Sequence, residues 1–152
     1  MHSAEGRMSS APRYIVSQLD AIAAQAADAD LSRSISAEVI KDIKATDVMR
    51  LSSSPELGGL NESIVCMANE LRAVAACCSS TAWCLWNHLA VFHLFVGTLG
   101  PEHEGFLKEI VDKGQWVSFP AGAGSGRRSP PPPIGSSYAY HPRGVVVLIA
   151  VL

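Results

Sequence analysis

Ser79-Ser-Thr-Ala-Trp-Cys-Leu-Trp-Asn-His-Leu-Ala-Val-Phe-His-Leu-Phe-Val-Gly-Thr-Leu99 is the stretch on which the fold turns. Ser79, Ser80 or Thr81 is placed to cap a helix whose members are apolar almost all the way round. Thr81, Leu85, His88, Phe92 and Phe95 share one face at helical spacing, and Trp86, Leu89, His93 and Val96 share another. A helix apolar on all sides is either a central core helix or a membrane span. This one is nearly long enough to span. However, Asn87, His88 and His93 sit mid-segment, where polar groups are expensive in lipid, and no basic flanks mark an orientation. The segment therefore reads as the buried central helix of a bundle.

Working outward, four more helices follow from periodicity. Ile15, Leu19, Ile22 and Ala26 recur at helical spacing between about Pro12 and Ala29. Ser36 is a plausible N-cap for a second helix, with Glu38 in its first turn and Val39, Ile40 and Ile43 on one face. A loop from Leu51 to Leu60 holds a serine run, Pro55, Gly58 and Gly59. A third helix, from about Asn61 to Ala76, is expected to bury Ile64, Met67, Ala68, Leu71 and Val74. Beyond the central segment, Gly100 and Pro101 open a last helix that Lys113 and Gly114 close. Its buried face is Phe106, Leu107, Ile110 and Val111, with Glu104–Lys108 and Glu109–Lys113 as i,i+4 pairs.

After that helix the period changes. Trp116, Val117, Ser118 and Phe119 look like a short strand, followed by Pro120 and a glycine-rich run to Arg128. Pro130 to Pro133 forbids helix and central strand alike and favours polyproline II. Val145–Leu152 is uniformly apolar, strand-like, too short to cross a membrane, and expected to find little to pair against. The expected fold class is mainly α, with residues 1–11 a disordered lead, 12–114 a helical domain, and 115–152 a truncated or divergent start of a β domain.

Composition sets bounds on function. Nearly half of the 152 residues are hydrophobic (48%), only 17% are charged, and the formal net charge is −2, so no footprint for nucleic acid or anionic lipid stands out. Cysteines at 66, 77, 78 and 84 form no C-x-x-C pair and read as free, mostly buried thiols of a cytoplasmic protein.

Pro55-Glu-Leu-Gly-Gly-Leu60, Ser79-Ser-Thr-Ala-Trp-Cys-Leu-Trp-Asn-His88 and Ser118-Phe-Pro-Ala-Gly122 occur in an order and spacing that resembles the acyl-CoA dehydrogenase superfamily. The nearest likeness is to its flavin-dependent monooxygenase branch, over about residues 12 to 124. The resemblance implies a helical N-terminal domain ahead of a β domain and a C-terminal four-helix bundle. It implies reduced FAD or FMN supplied by a separate flavin reductase, a small aromatic substrate, and a homo-oligomeric full-length protein. An acyl-CoA dehydrogenase is the other branch it allows. Two departures stand out: Pro-rich sequence after Gly126 in place of alternating strands, and no counterpart of the bundle.

Site residues follow from the same likeness. In the monooxygenase branch a histidine of this helix lies near the substrate and assists proton transfer at the flavin, which implies such a role for His88. An imidazole suits that work because its ordinary pKa lies near neutrality. A core histidine satisfied by a backbone carbonyl is the competing reading. Ser118 and the backbone of Ala121 and Gly122 match the position where the family's first strands touch the flavin ring. Trp83, Asn87 and Phe92 are candidates for the substrate pocket, although aromatics at helical spacing are more often plain core. His88 and His93 make no metal pair, because a spacing of five sets them about 140° apart on a helix. A non-catalytic fragment or helical interaction module is the alternative from a different class.

Overall fold

The computed structural model describes residues 11–99, 101–117, 137–140 and 146–149, and its elements are mainly helical. The chain begins with a 3-10 turn at Val16–Gln18, then α1 (Leu19–Ala24) and α2 (Ala26–Ser32), which meet at Gln25. The single helix expected from Pro12 to Ala29 is thus one run in three pieces. α3 (Ala37–Lys44) starts where the sequence places it: the Ser36 hydroxyl accepts the Val39 N–H at 3.2 Å, and Val39, Ile40 and Ile43 are buried.

Between α3 and the next helix lie 3-10 turns at Asp47–Arg50 and Pro55–Leu57. The two glycines after Leu57 are required for different reasons. Gly58 has φ +84°, a left-handed conformation that costs a side-chain-bearing residue about 1–2 kcal/mol. Gly59 is needed for space: a Cβ there would stand 2.1 Å from Ser53 Cβ and 2.2 Å from Ser53 O. That close approach lets Asn61 N–H reach Ser53 O at 2.8 Å and Glu62 N–H reach Leu51 O at 2.9 Å, which closes the loop on itself.

α4 (Ile64–Cys77) is capped by Ser63, whose hydroxyl accepts the Cys66 N–H at 3.2 Å. Its buried face is not the one expected. Ile64 is 78% exposed and Ala68 is exposed, while Cys66, Asn69, Glu70 and Val74 are buried. The reason is a polar contact that periodicity of apolar residues does not register. The Glu70 carboxylate accepts three consecutive backbone N–H groups, from Arg13 at 2.6 Å, Tyr14 at 3.2 Å and Ile15 at 3.0 Å. It thereby turns α4 toward the start of the chain. Met67 and Leu71, partly buried, still pack against the core.

Cys78 adopts an extended conformation (φ −153°, ψ 110°) and breaks the chain between α4 and α5 (Ser79–Thr98), so Cys78 rather than a serine or threonine takes the cap position. α5 serves two apolar clusters. Leu85 and Leu89 join one with Ile15, Ile22, Ile43 and Val74, and Val91, Phe92 and Phe95 join another with Leu57, Leu107 and Ile110. It is central, yet not enclosed on every side: Trp83, Trp86 and Leu94 are exposed. Among the described residues no helix is long and apolar enough to cross a membrane.

A 3-10 turn at Pro101–His103 leads into α6 (Glu104–Asp112). Gly114, at φ +54°, closes it as the sequence indicates, with Gly114 N–H on Val111 O and Gln115 N–H on Ile110 O. Glu109–Lys113 forms as expected, whereas Lys108 reaches forward to Asp112 at 3.1 Å rather than back to Glu104. The short strand expected at Trp116–Phe119 is absent from its described half. Trp116 and Val117 carry no regular structure and are buried in the two clusters instead.

The remaining described residues form an antiparallel hairpin, β1 (Ser137–Tyr140) with β2 (Val146–Ile149), in register Ser137 to Ile149 and Tyr140 to Val146. Val146–Ile149, the described part of the apolar run, therefore does find a partner strand.

Candidate functional site

Residue 88 falls on the α5 face that turns inward, between the two apolar clusters. The imidazole of His88 is 2% exposed. Burial among apolar groups requires that both ring nitrogens be satisfied. Nε2 lies 3.0 Å from the Met49 carbonyl oxygen, and Nδ1 accepts the Val117 N–H at 3.1 Å. A carbonyl only accepts, so Nε2 carries the proton. An N–H only donates, so Nδ1 offers its lone pair. One neutral tautomer satisfies both partners at once. Burial pushes the His88 pKa from 6.5 down to about 4, against a smaller opposing effect of the Met49 carbonyl.

His88 is thus a clasp between three parts of the chain: the 3-10 turn ending at Arg50, α5, and the segment leaving α6. Trp116 reinforces it. Its indole N–H donates to the Cys84 carbonyl at 3.1 Å, and its ring lies 5.9 Å from the imidazole, with Phe92 on another side at 6.2 Å. The space left beside His88, lined by Met49, Ser53, Phe92, Ile110 and Gln115, is about 10 Å³, about enough for one water.

The other sequence candidates are distributed around α5. Phe92 is fully buried beside His88, while Trp83 is 64% exposed on the far side. Nine residues at 100° each place the two about half a turn apart, so they line no common pocket. Asn87 donates its side-chain amide to the Trp83 carbonyl at 3.1 Å, a bond within the helix. Trp83 stacks on Trp86 with centroids 5.1 Å apart. His93 is exposed, on a different side of the helix from His88. Ser118, Ala121 and Gly122 lie outside the described residues. The four cysteines are free thiols, of which Cys66 and Cys78 are buried.

One feature gives no signal in the sequence. A cleft of about 410 Å³ opens where α3 and α6 end, lined among others by Lys44, Asp47, Arg50, Asp112 and Lys113. Its charges are largely matched internally: Arg50 with Asp47, Asp112 with Lys108, and Lys113 with Glu109. These residues come from separate elements, brought together as α6 packs against the 3-10 turn at Pro55–Leu57.

No protein-family model, no curated protein and no solved structure matches this chain.

Proposed function

We propose that this chain is the N-terminal helical part of a flavin-dependent oxidoreductase built like the acyl-CoA dehydrogenases. Its most specific form is the oxygenase of a two-component monooxygenase acting on a small aromatic substrate. In this reading reduced FAD or FMN comes from a separate reductase, and the protein works in the cytoplasm as a homo-oligomer. One observation supports the reading: His88, in the second of the stretches that bear the resemblance, is held by one residue upstream of the first and by the residue just before the third. The ring lies within the second stretch, holds the Met49 carbonyl upstream of the Pro55–Leu60 turn, and receives the N–H of Val117, the residue before Ser118. Leu57 of the turn and Val117 belong to one apolar cluster.

The flavin would supply activation of oxygen, and its ring contacts fall to Ser118, Ala121 and Gly122. The described residues alone do not form a flavin cradle, because both His88 nitrogens are satisfied internally and the space beside the ring takes about one water. For His88 to move a proton, one of its two backbone partners must first let go. The same commitment of both nitrogens favours a second reading, in which the chain is a non-catalytic helical module and His88 is purely a clasp.

A graft separates the two. Residues 12–117 replace the N-terminal helical domain of a flavin-dependent monooxygenase of this superfamily, and hydroxylation of phenols is followed with reduced flavin supplied. The expected result is a graft that binds flavin and hydroxylates, with turnover lowered at least tenfold by His88→Gln. A graft that folds and binds flavin but hydroxylates nothing overturns the catalytic reading in favour of the module.

A further inference from the structure

One serine hydroxyl beside the clasp is left over. Ser53 is 0% exposed, and among the described residues its Oγ finds no hydrogen-bond partner. Its backbone is engaged on both sides: the N–H donates to the Arg50 carbonyl at 3.3 Å, and the carbonyl accepts from Asn61 at 2.8 Å. A buried hydroxyl without a partner forfeits the hydrogen bonds it made to water in the unfolded chain, so native proteins rarely keep one. Ser52 also lacks a partner, but it is not in the wall of the cavity beside His88.

Ser53 is in that wall, together with Met49, Gln115 and Gly114. The cavity of about 10 Å³ is close to the least that holds a water, and a water there needs about two to four polar partners. The imidazole is not one of them. In its neutral tautomer Nε2–H is committed to the Met49 carbonyl and Nδ1 to the Val117 N–H. Three other groups remain. The Ser53 hydroxyl has a proton to donate and lone pairs to accept with. The Met49 carbonyl has a second lone pair beside the one that His88 uses, and the Gln115 side chain carries an amide with donors and an acceptor.

The cavity also has a way out. Met49, Val111 and Gly114 line both this space and the open cleft where α3 and α6 end. One layer of residues, including a glycine with no side chain to pass, separates the two.

We infer that the cavity is a site for one internal water, held by Ser53 Oγ against the Met49 carbonyl and the Gln115 amide and exchanging with solvent past Gly114. Ser53 thereby becomes part of the clasp, because the water and His88 share one carbonyl. The site stands apart from the flavin reading, since it uses only groups of the fold. Under that reading, the water touches the carbonyl that His88 would release to move a proton.

Oxygen-17 relaxation dispersion on the full chain tests it, because it detects long-lived waters by their oxygen and is blind to exchanging hydroxyl protons. Ser53→Ala removes the hydroxyl and little else. The dispersion amplitude should fall by about one water per chain, with the circular dichroism spectrum unchanged. The folding equilibrium constant from urea unfolding should fall about fivefold or more. Equal amplitudes in wild type and variant overturn the proposal, whether the cavity is dry, a later residue of the chain meets the hydroxyl, or other groups hold the water. A variant as stable as the wild type or more so overturns it too, since that marks a hydroxyl that was buried dry. Gln115→Met, at a half-buried position, keeps the hydroxyl and provides a second check. It should shorten the residence of the water and move its dispersion to higher frequency, and a dispersion that does not move refutes the site as drawn.

Discussion

Lowering the pH from 7 to 5 should destabilise this protein chiefly through His88. The ring is neutral in the fold, with a pKa near 4 against 6.5 when unfolded. A folded pKa held below the unfolded one means that the unfolded chain takes up the proton first. Stability is therefore lost as pH falls from about 6.5 and continues to fall until about 4. At pH 5 the loss spans about 1.5 pH units, or about 2 kcal/mol, and near pH 4 it approaches about 3 kcal/mol. The range from 7 to 5 isolates the histidine from the shifted carboxylates. Hydrogen bonds from the Tyr14 hydroxyl to Glu62, and from its own backbone N–H to Glu56, hold those groups below 4.5. Their titration belongs to more acid solution. His88→Leu supplies the control. It keeps much of the volume but leaves the Met49 carbonyl and the Val117 N–H without a partner, at about 1–3 kcal/mol each. The variant should be weaker at pH 7 by about 2–6 kcal/mol, yet nearly free of the loss between pH 7 and 5. Urea unfolding followed by tryptophan fluorescence at the two pH values measures both. Equal pH dependence in wild type and variant, or a wild type unmoved between pH 7 and 5, would refute the clasp.

Three further outcomes follow from particular contacts. Gly59→Ala should cost about 3 kcal/mol or more, because its Cβ would meet backbone and Cβ of Ser53 rather than a movable side-chain end, while Gly58→Ala should cost only about 1–2 kcal/mol of left-handed strain; thermal unfolding of the pair would show the order, and the reverse order would argue against the loop geometry. Glu70→Ala strips three backbone N–H groups of their acceptor and should release the chain before α1, with a loss of about 3–5 kcal/mol and new amide exchange at residues 13–15; protection retained at those amides would contradict it. FAD or FMN added to the chain of 152 residues should show affinity weaker than micromolar by fluorescence quenching, and tight one-to-one binding would mean that the space beside His88 opens far beyond its present size.

The sequence by itself determined what local chemistry controls. The Ser36 cap, the apolar face of α3, the closure of α6 at Gly114 and the helical nature of 79–99 are all properties of neighbours along the chain. Hydroxyl caps, glycine conformations and the 3.6-residue period act within a turn or two, so they can be read without knowing what lies across the molecule. Tertiary structure alone decided three things. It buried the face of α4 that carries Glu70, because backbone donors 55–57 residues away supply its partners. It split the candidate pocket, sending Phe92 inward and Trp83 to solvent. It gave His88 its partners, Met49 and Val117, which lie 39 and 29 residues off in opposite directions. In each case the deciding quantity is the satisfaction of a buried polar group, or the exposure of an apolar one, by residues distant in the chain, and no local period contains that information.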